Sequence, residues 1–158
     1  MRALIQRVHH CSVRIHGVEH SSIGKGILIL LAVKNDDTES DAKYLAERCA
    51  ALRIFDDSDG KLNLSVCDIQ GSAMVVSQFT LYGDTRKGNR PSYGQAAPAE
   101  IAERLYEYFN HRLRDFLGNE KLSTGVFRAM MDVELVNDGP VTVMVESKSS
   151  TQDNFPSA

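Results

Sequence analysis

Long apolar runs are missing from this chain. The longest, residues 27–33, falls well short of the ~20 residues that a membrane-crossing helix needs. Residues 1–11 lack the layout of a signal peptide, since Arg2 and Arg7 interrupt them and no small-residue cleavage site follows. No membrane partner and a cytoplasmic location are therefore expected. Cysteine is scarce: Cys11, Cys49 and Cys67 are odd in number, widely spaced, and form no Cys-x-x-Cys pair. That argues against a disulfide framework and against a zinc site, and leaves three small hydrophobes expected in the interior. Positive charge is not in surplus either. Lys and Arg number 18 against 21 Asp and Glu, a net charge of −3. A protein that holds nucleic acid by broad phosphate neutralisation is usually basic, so any such grip here must be a local patch.

The usual catalytic devices are also absent. There is no Gly-x-Ser-x-Gly elbow. His9, His10, His16 and His20 crowd the first twenty residues, His111 stands alone, and no His-Glu-x-x-His helix occurs. Lys25, between Gly24 and Gly26, lacks the spacing of a phosphate-binding loop. Asp56, Asp57 and Asp59 with Gly60 lack the terminal Glu of a calcium loop and read as a solvated turn. No metal and no cofactor are implied. If the chain is an enzyme, its catalytic groups are main-chain atoms or belong to the substrate.

What is present is a series of short periodic segments without repeats or linkers. Residues 2–9 alternate around Leu4, Gln6 and Val8, and residues 12–18 carry Val13 and Ile15 on one face. Both read as half-buried strands, and the continuous run 27–33 as a strand buried on both faces. Thr38 and Asp41 have capping-box spacing before a helix with Ala42, Leu45, Ala46, Cys49 and Leu52 on one side. Residues 53–55 and 73–79 read as strands. Residues 83–97 carry three glycines and Pro91 and form a long loop, a place where function often resides. Pro98 opens a second helix, striped by Ala102, Leu105, Phe109, Leu113 and Phe116 and ended by Gly118. Strands 129–136 and 141–146 follow, joined by Asn137-Asp138-Gly139-Pro140. The expectation is a mixed α/β fold with two main helices and largely antiparallel sheets, in one domain over residues 1–146. Residues 147–158 are polar and expected to be a disordered tail.

Two segments are more specific. Ser77-Gln78-Phe79-Thr80-Leu81-Tyr82-Gly83 lies where a buried strand runs out. It reads either as a plain strand end or as a place where N–H groups without ladder partners converge on an oxyanion. Thr80 is an alternative nucleophile, although no base lies near it in the sequence. Asn137-Asp138-Gly139-Pro140-Val141-Thr142 reads either as a hairpin turn or as a rigid main-chain wall. Proline after glycine removes a donor and restricts its neighbour, and such a bond can be cis.

Together these two segments resemble the signatures of the D-aminoacyl-tRNA deacylase family. Supporting matches are Gln6-Arg7-Val8, Leu52-Arg53-Ile54-Phe55, Gly60-Lys61-Leu62-Asn63, Lys87-Gly88-Asn89-Arg90-Pro91-Ser92 and Ser123-Thr124-Gly125. They run through residues 1–146 in the family's order. One departure stands out: Arg128 occupies the middle of Phe127-Arg128-Ala129, where the family usually has glycine. The resemblance implies a homodimer with a barrel-like core and hydrolysis of the ester of D-aminoacyl-tRNA. The N–H groups around Ser77, Gln78 and Phe79 are then expected to bind the oxyanion, with Gln78 and Thr80 shaping the site, and the resemblance implies that the substrate 2′-OH assists water. It also implies a cis Gly139-Pro140 held by Arg7 and entering the partner subunit's site. Met131 matches the family's methionine and is counted with these residues in substrate binding, and the Gly139-Pro140 backbone is expected to reject L-amino acids but not glycine. Arg86, Lys87 and Arg90 are candidate tRNA contacts.

Overall fold

The computed structural model describes residues 1–147. Of the expected tail, all but Ser147 lies outside the described residues. The strands are β1 (Arg2–Ile15), β2 (Val18–Ile23), β3 (Gly26–Ala32), β4 (Phe55–Asp56), β5 (Leu62–Leu64), β6 (Ser72–Ser77), β7 (Leu122–Thr124) and β8 (Asp132–Glu146). The helices are α1 (Glu39–Ala51) and α2 (Ala99–Leu117). The main sheet runs β2-β1-β3-β6-β7, with β8 paired to β1. β1 is antiparallel to β2, β3 and β8, whereas β3–β6 and β6–β7 are parallel. The sheet curls until β2 meets β7, where the Ser21 hydroxyl donates to Thr124 O at 2.9 Å. The result is a nearly closed barrel with helices on one side, the mixed architecture expected.

Alternation along the strands makes two cores. Val8, Cys11, Val13, Ile23, Leu28, Met74 and Val76 fill the barrel. Ala3, Ile5, Ile27, Ile29, Leu31, Ala73 and Val75 point the other way, onto Leu45, Ala46 and Cys49 of α1 and Leu105, Phe109 and Leu113 of α2. Each large side chain buried there contributes about 1.5–3 kcal/mol. Thr38 and Asp41 form the capping pair, with Thr38 N–H donating to the Asp41 carboxylate at 2.8 Å. Gly118 ends α2 at φ 87, its N–H bonded to Arg114 O. Cys11 and Cys49 are buried, and burial pushes their thiols up to about 11 and about 12. Among the described residues no helix is long and apolar enough to cross a membrane.

Several boundaries differ from the sequence expectations. The segment 12–18 is not one strand: His16 (φ 51) and Gly17 (φ 77) make a two-residue hairpin turn between β1 and β2. Two successive positive φ values are what such a turn requires, and His tolerates the first. The fully buried face at the start of β1 is Ala3, Ile5 and Arg7, whereas Leu4 and Gln6 are only half-buried. β8 is one strand, and Asn137 to Pro140 is not a hairpin. The pairing shifts register opposite Gln6 to His10, so the motif is a bulge inside a continuous edge strand. β6 stops at Ser77, two residues earlier than its apolar pattern suggests. Pro98 is the N-cap of α2 and not a residue of its first turn.

Candidate active site

The strand end at Ser77 is built by the parallel ladder. Gln78 N–H still donates to Leu31 O at 2.7 Å, as the last rung on the β3 side. On the β7 side the last rung is Gly125 N–H to Val75 O at 2.9 Å. Ser77 points its N–H to that side by alternation, past the end of β7. The chain then turns into a 3-10 turn over Phe79–Tyr82. The first N–H groups of any helical turn lack internal partners. Among the described residues, the N–H groups of Ser77, Phe79 and Thr80 have none. Phe79 and Thr80 are exposed. The turn is anchored from below, since Arg2 donates to Leu81 O at 3.1 Å and lies 4.7 Å from the Tyr82 ring centre. Burial pushes the Tyr82 phenol above its ordinary range. The Gln78 amide donates to the Thr80 hydroxyl, and Tyr93 packs edge-on against Phe79 with ring centres 5.1 Å apart. Thr80 Oγ1 has an amide beside it and no base.

This modifies the sequence expectation. Gln78 N–H is occupied by Leu31 O and is not a free oxyanion donor, whereas Thr80 N–H, not counted from the sequence, has no partner among the described residues.

The second element centres on Arg7. It shares the face of β1 that carries Ala3 and Ile5, away from the barrel interior, and is only 6% exposed. A buried guanidinium needs acceptors on every side. Nε donates to Asp138 O at 3.0 Å, one terminal nitrogen to Ile54 O at 2.8 Å and Asp56 at 3.3 Å, and the other to Asp138 Oδ1 at 3.4 Å. The Asn137 amide donates to Arg7 O at 2.9 Å and Val141 O at 3.2 Å. Gly139-Pro140, cis as expected, protrudes between these clamps with both residues exposed. A Cβ on Gly139 would fall 2.8 Å from Asn137 Oδ1, so a side chain there disturbs the clamp. The sequence singled out the segment but gave Asn137 and Asp138 no role of their own. The available signal was Arg7 itself, in step with Ala3 and Ile5 on an otherwise apolar face.

The two elements do not meet within one chain. Gly139-Pro140 lies opposite Arg7, which pairs with Ile27 and through it with Ala73, three strand spacings and four residues away from Ser77. Strand geometry makes that separation roughly 15–20 Å. Met131 belongs with the strand end. Its sulfur accepts Val126 N–H at 3.3 Å, and a Cβ on Gly125 would lie 2.8 Å from that sulfur and 3.6 Å from Val76. Arg86 is held by Asp84 in the same loop, with two guanidinium contacts of 2.9 and 2.7 Å. That pairing holds the Asp84 carboxyl well below the usual carboxylate range. Lys87 and Arg90 are exposed. A cavity of about 290 Å³ lined by Cys67, Gln70, Phe116 and Lys121 shares no residue with either element. Among the described residues, no cluster of three or more His, Cys, Asp or Glu could hold a metal.

The fold and these elements describe a class: a mixed barrel whose distinctive surface is exposed main chain, at one strand end and one bulge. The family described as D-Tyr-tRNA(Tyr) deacylase matches residues 4–146. The chain belongs to this family of hydrolases. A D-aminoacyl-tRNA deacylase of Thermosipho africanus is 53% identical over 148 residues, covering 94% of this chain and 98% of the relative. One of Koribacter versatilis is 54% identical with the same coverage. A solved structure named c-Myc DNA Unwinding Element Binding Protein superposes with a TM-score of 0.90 at 40% identity, over 94% of this chain and all of that one. A probable eukaryotic D-amino acid tRNA deacylase superposes with a TM-score of 0.80 at 17% identity, covering 92% and 98%, which supports the fold alone.

Proposed function

We propose that the protein hydrolyses the ester of D-aminoacyl-tRNA, releasing free D-amino acid and tRNA, as a cytoplasmic proofreading step in translation. The observation that carries this reading is the set of unpartnered N–H groups at Ser77, Phe79 and Thr80, in a member of a deacylase family. Ester hydrolysis passes through a tetrahedral oxyanion, and fixed main-chain donors stabilise it without reorganising. With no side-chain base at Thr80, the ribose 2′-OH beside the ester is the group left to assist water. Thr80 and Gln78 shape the site through their mutual hydrogen bond. Thr80→Ala should therefore lower kcat by about tenfold, against a loss on the order of 10⁶ for a true nucleophile. A loss of that larger size with normal substrate binding would establish covalent catalysis instead.

Chirality is selected by exclusion. The distance between the two elements within one chain supports a site completed by Gly139-Pro140 of a partner subunit, in a homodimer of the domain over residues 1–146. That wall stands where an L-side chain would project, and clashes discriminate efficiently. Lys87 and Arg90 are the loop's candidate phosphate contacts, while Arg86 is engaged by Asp84.

The deciding experiment is hydrolysis of D-tyrosyl-, L-tyrosyl-, glycyl- and L-alanyl-tRNA side by side. Cleavage of the D-ester and the glycyl ester alone is expected, because glycine has no side chain to reject. Equal resistance of glycyl and L-alanyl esters would remove steric exclusion, and inertness toward the D-ester would remove the deacylase reading. A nucleic-acid-binding module is the alternative, and the net charge of −3 weighs against it.

A further inference from the structure

We propose that Arg128 is a substrate-binding residue, whose guanidinium takes a backbone phosphate of the single-stranded 3′ end of tRNA as that end enters the strand-end site. The proposal rests on the deacylase reading and assigns that site an additional contact.

Residues 126–129 form a turn closed by Ala129 N–H to Val126 O at 3.2 Å. Arg128 is its third residue and has φ 63. A turn with a positive φ at that place is of type II and calls for glycine or asparagine. An arginine there is held in a conformation that its Cβ disfavours. The fold gets nothing visible in return. The side chain is exposed and, among the described residues, makes no hydrogen bond, ion pair or ring contact. A disfavoured backbone conformation under an unengaged cation points to a role outside the fold.

The turn is held firmly at the site. Gly125 N–H and the Tyr106 hydroxyl both donate to Val75 O, at 2.9 Å each. The Phe127 ring packs on Tyr106 with centres 5.7 Å apart, and Val126 N–H bonds to the Met131 sulfur. β7 runs parallel to β6 as far as the pair Val75 and Thr124, and a Cβ on the next residue, Gly125, would lie 3.6 Å from the Val76 side chain, so the turn begins beside the end of β6. Arg128, three residues beyond Gly125 and exposed, is therefore within a side chain's reach of the strand end. Its planar fork matches phosphate geometry better than any other side chain does. In a chain of net charge −3, with Arg86 engaged by Asp84, a cation near this strand end that is unengaged among the described residues supplies the local attraction that the overall charge denies.

Three variants separate charge from backbone. Arg128→Gln removes the charge and keeps the disfavoured φ, Arg128→Gly removes both, and Arg128→Lys keeps the charge. Affinity for deacylated tRNA and KM for D-tyrosyl-tRNA are measured across a salt series, together with Tm. The Gln and Gly variants should bind about three- to fivefold more weakly. The slope of log affinity against log salt should become shallower by about 0.7, as expected for one single-strand phosphate. The change should fall on KM and not on kcat, Arg128→Lys should keep the slope, and Arg128→Gly should gain about 2–4 °C in Tm. Unaltered affinity and slope in both neutral variants would overturn the proposal. If the unaltered protein binds tRNA but cleaves no D-ester, the deacylase reading falls while the binding slopes still decide Arg128. No binding of tRNA by the unaltered protein would overturn both.

Discussion

Phe79→Pro should hydrolyse D-tyrosyl-tRNA roughly 10²–10³-fold more slowly than Phe79→Ala, the loss that follows removal of one oxyanion donor. Main-chain donors escape ordinary mutagenesis, but this one stands where proline fits. Phe79 is the first residue of a 3-10 turn, the position at which a missing N–H is tolerated. Gln78 precedes it at φ −146 and ψ 77, outside the helical region that a following proline disfavours. The Phe79 N–H has no partner within the described chain, so its removal leaves no acceptor stranded. The alanine variant controls for loss of the ring, which is 56% exposed and touches Tyr93. Single-turnover rates and Tm of the two variants decide the matter. Equal rates at equal Tm would show that the Phe79 N–H does not hold the oxyanion.

Arg7→Met should cost about 3 kcal/mol of stability, the low end for breaking a buried ion pair because Asp56 and Asp138 remain partly solvated. For a chain of this size that is a fall in Tm of about 6–12 °C. Methionine fills the volume, so the loss reads out the stranded carbonyls of Ile54 and Asp138 and the uncompensated carboxylates. The same variant should release the Asn137 to Pro140 bulge and erode discrimination between D- and L-tyrosyl-tRNA. An unchanged Tm with an unchanged D/L ratio would mean that Arg7 holds neither fold nor wall.

Much of the architecture was legible because its long elements obey simple periods. The two helices, the buried strands β3 and β6 and the glycine stop at Gly118 follow from spacing and from capping chemistry. The errors have a common cause in tertiary pairing. β5 and β7 have three residues each, too few to show a period, and exist because a neighbouring strand offers a ladder. Asn137 to Pro140 carries the composition of a turn, yet ten residues of β1 pair with β8 on its two sides, Val8 pairs with Asn137 itself, and together they hold the chain extended. For the site, the strand end was readable from Ser77 to Gly83. The sharing of N–H groups was not, because it depends on which edge of β6 keeps a neighbour after β7 stops. Arg128 shows the converse case. The residue type gave no reason for its departure from glycine, and its φ shows why glycine is the natural occupant of that turn.

β1 is shared by three strands, and its longest ladder joins Arg2 to Glu146. During synthesis, this central strand is made well before β8 and waits for it. Until β8 has emerged, one edge of β1 and the buried Arg7 lack the partners that Asp138 and its neighbours supply. The parallel strands β3 and β6 and both helices can associate earlier, but the Arg7 clamp cannot. The bulge that carries Gly139-Pro140 is therefore assembled only once β8 has been made, so a chain still short of β8 has no clamped bulge to present.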